Sequence, residues 1–195
     1  MATTNLFVEL LVIGVGAACW VGLLILAAFG LEFTQSELFS AYPALVSLLA
    51  VVYLLGIISD RVADFVFDKC FSSPLRVRFF ECKRDYQDAR RLVFDSSDRL
   101  ADMHEYGRTR IRICRGWSLN AVLIAVCLNV FLQTRCAETQ WFLDATRWGT
   151  AGCLLLAIAA WWSWRLLCVT EYLKIRENAE FLAQRHQRPS LKNAA

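Results

Sequence analysis

Four apolar stretches with almost no charge in them constrain this chain more than any other feature. They cover about residues 10–29, 43–59, 117–134 and 148–169. A helix rises about 1.5 Å per residue, so about 20 residues cross the roughly 30 Å hydrocarbon core of a bilayer. In that medium each backbone polar group needs a partner within the protein, and a helix supplies one. The reading is an all-α integral membrane protein with four transmembrane helices. Composition agrees: 57% of the 195 residues are hydrophobic, where a soluble domain holds about 45–50%. Residues 1–9 carry no Lys or Arg, unlike the basic start of a cleavable signal, so the first stretch reads as a retained span.

Charge distribution sets the orientation. Of the 21 Lys and Arg, 13 lie in residues 61–117 against nine Asp and Glu, and six more lie from Arg165 onward. The two short loops hold only Arg135 and Arg147. Basic loops stay on the cytoplasmic side, which places both termini and the long loop there and suits a multi-pass protein of a cell inner membrane. The chain then divides into a first transmembrane hairpin (1–60), a basic helical loop (61–116), a second hairpin (117–169) and a tail helix with a frayed end (170–195). Pro43 opens the second span, where its missing N–H is harmless. Trp141 and Trp148 mark one end of the fourth span, and Trp161, Trp162, Trp164 and Arg165 the other.

The loop has helical periodicity of its own. Leu75, Phe79, Cys82, Tyr86, Ala89 and Val93 step by four and three residues, a heptad-like stripe. Ser72, Ser73 and Pro74 are expected to break the preceding helix, with Ser96 and Ser97 as caps or a kink. Two or three helices result, the last feeding the third span. The tail offers Tyr172, Ile175, Ala179 and Leu182 as a surface on which the stripe can pack, making a cytoplasmic helical layer. Segments 75–80 and 109–114 also alternate with period two, leaving a small strand pair as the lesser reading.

Several constellations are candidate sites. Gly14, Ala18 and Gly22 recur every four residues in the first span, as do Gly149, Cys153 and Ala157 in the fourth. Small residues let helices approach closely in lipid, so these stripes are either seams between subunits or internal packing. Asp60, Asp64 and Asp68 share the same spacing below the second span. In a ring of subunits they would line a cation vestibule; otherwise they form a solvated face balanced by Arg61 and Lys69. Arg108, Arg110, Arg112 and Arg115 precede the third span. They suit lipid headgroups or another anionic ligand and also enforce topology. Asn120 and Asn129 lie nine residues apart on different faces, as interhelical hydrogen-bond partners do. Cys136 is the one cysteine of eight on the expected outer side, so no intrachain disulfide is expected there.

Arg99 and His104 stand in the run R-L-A-D-M-H. This is similar to the R-x4-H motif of HEPN-type ribonucleases, over six residues, with Leu100 where a polar residue usually follows the arginine. The resemblance implies a phosphate site built from the Arg and His of two protomers. The bare residues suggest a surface histidine on an amphipathic helix.

G-x-S-x-G, H-E-x-x-H and P-loop patterns are absent, and His104 and His186 alone cannot furnish a zinc site. No cofactor and no metal are expected, and the nine acids of the loop argue against nucleic acid. The expected function is non-enzymatic: an oligomeric channel or membrane-perturbing effector controlled through its cytoplasmic helices. Its partners would be the lipid bilayer, further copies of the chain, and a cytoplasmic protein or small ligand. The alternative is a scaffold that tethers a cytoplasmic partner without a pore; a membrane-bound HEPN-like ribonuclease is the remote one.

Overall fold

The apolar stretches become helices longer than the stretches themselves. A computed structural model describes residues 2–30, 42–96 and 98–192. Its main elements are α1 (Ala2–Phe29), α2 (Tyr42–Phe67), α3 (Ser73–Arg76), α4 (Lys83–Ser96), α5 (Asp98–Arg135) and α6 (Phe142–Lys192). Four of these, α1, α2, α5 and α6, are long and apolar enough to cross a membrane. No strand occurs among the described residues, and segments 75–80 and 109–114 lie in or beside helices. The loop between α1 and α2 falls on residues 31–41, outside the described residues.

Helix ends follow local chemistry. Gly30 closes α1 with φ of 84°, a left-handed cap that only glycine adopts without strain. The Arg135 guanidinium donates to the carbonyls of Ala27 and Ala28 at 2.9 and 2.8 Å, satisfying acceptors that a helix C-terminus leaves open. Arg135→Ala is expected to destabilise the protein by about 1 kcal/mol, read as a small drop in melting temperature in detergent.

The expected break at Ser72–Pro74 is instead a change of winding. Residues Asp68–Ser72 form a π turn leading directly into α3. Proline excludes the carbonyl four residues before it, and a wider turn accommodates that. Winding stops at residues 77–82. Ser96 ends α4, its hydroxyl donating to the Val93 carbonyl at 2.7 Å; Ser97 lies outside the described residues. The tail helix runs to Lys192, past the frayed end expected from Pro189.

The chain forms two compact units: Met1–Phe65 with Arg112–Ser163, and Val66–Ile111 with Trp164–Ala195. In the first, α1 and α2 cross at backbone contact. A Cβ on Gly14 would lie 2.0 Å from the Val52 carbonyl oxygen, and one on Gly56 2.0 Å from that of Leu10. In the second unit, Phe67 packs edge-on against Trp164 at 4.9 Å. Phe79 and Tyr86 lie 6.0 and 5.5 Å from the Tyr172 ring, so the loop stripe packs on the tail-side helix. Leu75, Val93 and Ile175 are buried with them, whereas Cys82 is exposed. Burial also pushes the Tyr86 phenol above its usual range.

Candidate functional site: a buried ion cluster and an asparagine hub

Charges three and four residues apart share a helix face. On α2 that rule puts Asp60 beside Asp64, and on α5 it puts Arg112 beside Arg115. The two faces meet within the first unit. Arg112 reaches Asp60 Oδ2 at 2.9 Å through Nη2 and Glu9 Oε1 at 2.9 Å through Nε. Arg115 reaches Asp60 Oδ1 at 3.0 Å through Nη2 and pairs with Asp64 through Nη1. Asp60 is fully buried and Glu9 nearly so, while the Asp64 side chain is 51% exposed. Arg61 adds a contact to Asp60 from the surface. Burying a charge is tolerable when it is paired and hydrogen-bonded, and here both carboxylate oxygens of Asp60 meet guanidinium groups.

One residue before Asp60 the polar network continues. Ser59 donates to Asn120 Oδ1 at 2.8 Å, as does Trp20 at 3.3 Å. Asn120 Nδ2 donates to the Ile13 carbonyl at 2.9 Å. Asn120, fully buried, therefore ties α1 and α2 to α5. Asn129 Nδ2 donates to Thr150 Oγ1 at 2.7 Å, joining α5 to α6. Both asparagines are the interhelical partners that their spacing suggests. The cluster fixes helix register.

The other candidate residues scatter. Asp68 belongs to the second unit and is exposed. Arg108 and Arg110 are exposed, whereas Arg112 and Arg115 turn into the cluster. Gly14 packs inside the first unit; Gly149 lies against Leu128, where a Cβ would come within 2.7 Å. Ala157 is buried, Ala18 and Cys153 are half-buried, and Gly22 has nothing within 4 Å of its Cβ position. Cys136 is a buried free thiol.

His104 corrects the expectation of a surface histidine. It is 1% exposed. Its Nδ1 donates to Glu171 Oε1 at 2.5 Å, its ring stacks on Phe94, and its Nε2 meets no hydrogen-bond partner among the described residues. Gly107, one turn on, lets Glu171 approach, since a Cβ there would stand 2.8 Å from Oε2. Arg99, by contrast, is exposed. Five residues separate the two, about 140° around a helix, so the structure does not bring this Arg and His together within one chain. A shallow groove of about 510 Å³ lies elsewhere in this unit, between Phe79, Phe80 and Asp85 on one side and Arg176 and Glu180 on the other. Among the described residues, no group of three or more His, Cys, Asp or Glu is placed to hold a metal ion.

Comparison with protein-family models, with curated proteins and with solved structures finds no match to this chain.

Proposed function

We propose that this chain is a non-enzymatic, multi-pass protein of a cell inner membrane that works as an oligomeric channel or membrane-perturbing effector. Its termini and the loop between the second and third spans lie in the cytoplasm, and its cytoplasmic helices control it. The supporting observation is how little of each apolar helix one chain covers: 17–39% of the four apolar windows is buried. The outward faces carry residues such as Val46, Leu54, Leu155 and Ile158. Surfaces of that chemistry suit lipid and neighbouring copies. Arg108 and Arg110, both exposed, are of a chemistry that suits anionic headgroups.

The channel form of this reading gives the vestibule to Asp64 and Asp68, because the Asp60 carboxylate is fully buried against Arg112 and Arg115, whereas Asp64, though paired with Arg115, is half exposed and Asp68 is exposed. Liposomes loaded with an ion-sensitive dye provide the test. Flux through wild-type protein, reduced or altered in cation preference by Asp64→Asn with Asp68→Asn, is the expected result. Oligomers that conduct identically with both substitutions would remove the vestibule.

The groove beside Phe79 and Arg176 favours the second reading, a scaffold. Its volume lies in the roughly 300–1,000 Å³ range of ligand sites. A chain that stays tight to ions in every condition, yet retains a cytoplasmic protein or small molecule through residues 61–116, would favour that reading.

A further inference from the structure

We propose that copies of this chain associate through a seam in which an exposed strip of α5 meets an exposed strip of α6 from a second copy. The proposal rests on the oligomeric reading above and assigns its contact. Arg99, Met103, Tyr106 and Arg110 follow one another on α5 at steps of four, three and four residues. Leu166, Thr170, Leu173 and Glu177 repeat those steps on α6. All eight are exposed and all lie in the second unit. Steps of four and three mark a helix face that packs against another helix. Among the described residues both strips stay exposed, Met103 to 44% and Leu173 to 41%. The buried face of α5 carries His104 and that of α6 carries Glu171, each five residues, or about 140°, from the start of its strip.

Charge and register select a second copy as the occupant. The α5 strip is basic and apolar, with Arg110 folded over the Tyr106 ring at 5.8 Å. The α6 strip is apolar and ends on an acid. A short turn over residues 136–141 joins α5 to α6, so they run antiparallel, and the His104–Glu171 bond sets them level. Counting outward from that bond, Arg99 stands level with Glu177 and Met103 with Leu173, each to within one residue. In an assembly whose axis lies along the bilayer normal, residues level within one copy are level between copies. Arg99 then meets Glu177, Met103 meets Leu173, and Tyr106 covers Thr170. One such contact repeated builds either a twofold pair or a closed ring.

The test is the particle mass of the full chain in detergent, by light scattering, with helicity checked by circular dichroism. Arg99→Glu and Glu177→Arg are each expected to shift the particle to a single chain at concentrations where the wild type stays assembled. Combining them should restore the assembly. Lys174→Glu, exposed but off the strip, should leave the mass unchanged. Met103→Lys with Leu173→Glu gives a second pair with the same logic should either first substitution reduce helicity. A wild-type oligomer that survives all these substitutions overturns the seam and leaves the oligomeric reading standing. Dissociation that no pairing reverses overturns the register assigned here. A wild-type single chain overturns both.

Discussion

Substituting Gly56 with valine is expected to prevent α1 and α2 from closing on each other. A Cβ at Gly56 would stand 2.0 Å from the Leu10 carbonyl oxygen and 2.9 Å from its carbon. These are backbone atoms of a helix, so no side-chain rotation relieves the clash. Gly14 meets Val52 in the same way from the opposite helix. Ordinary overpacking costs about 1–3 kcal/mol; here the whole crossing must separate, and the penalty should exceed that range. Lipid gives little hydrophobic drive for helices to associate, so close packing is much of what holds them. Gly56→Ala should already lower the melting temperature in detergent strongly, and Gly56→Val should yield little monodisperse protein. Gly22→Ala and Gly152→Ala are the controls. Among the described residues nothing lies within 4 Å of their Cβ positions, and changes within about 0.5 kcal/mol are expected. A Gly56→Val protein that melts like the wild type would show that the crossing lies elsewhere.

That contrast among glycines marks where sequence reading stops. The spacing of Gly14, Ala18 and Gly22 reveals a face on which helices can approach, but not which neighbour uses it. Gly14 turns out to meet α2, while Gly22 meets nothing within 4 Å among the described residues. Gly56, the tightest position together with Gly14, stands alone in its span and gives no stripe to notice. The existence and order of the four apolar helices were legible because a bilayer demands about 20 apolar residues in a row and a soluble core does not. The end of α2 was less so. Asp60 reads as the place where the chain meets water, yet the helix continues to Phe67. The carboxylate is buried by partners 52 and 55 residues further along the chain, and a local window cannot contain them.

His104 illustrates the same limit in the second unit. Flanked by Met103 and Glu105, it sits in a run of mixed polarity that suggests a surface. Its burial depends on Glu171, 67 residues away. The one local hint is Gly107, a residue without a side chain one turn from the imidazole, where a close approach becomes feasible. The stripe from Leu75 to Val93 was easier to read because the period itself carries the information, whatever the partner.

Asp60 is the position where removing a single charge should do most harm. Asp60→Ala would leave Arg112 and Arg115, with side chains 21% and 11% exposed, facing a void and each other. Glu9 would still hold Arg112, and Asp64 would still hold Arg115, but two guanidinium charges would then share a buried space without the carboxylate between them. Removing one partner of a buried pair costs about 3–5 kcal/mol, a large part of the total stability of a typical domain. Asp64→Ala takes away a half-exposed carboxylate whose arginine keeps Asp60, and about 1 kcal/mol or less is expected. Asp60→Asn separates charge from shape: it preserves the hydrogen-bond acceptor and should fall between the two. The order Asp60→Ala, Asp60→Asn, Asp64→Ala in melting temperature, lowest first, would place the cluster's energetic centre on Asp60. Equal shifts for Asp60→Ala and Asp64→Ala would mean that water reaches the whole cluster, so that the pairing of α2 with α5 rests on the Ser59–Asn120 bond rather than on charge.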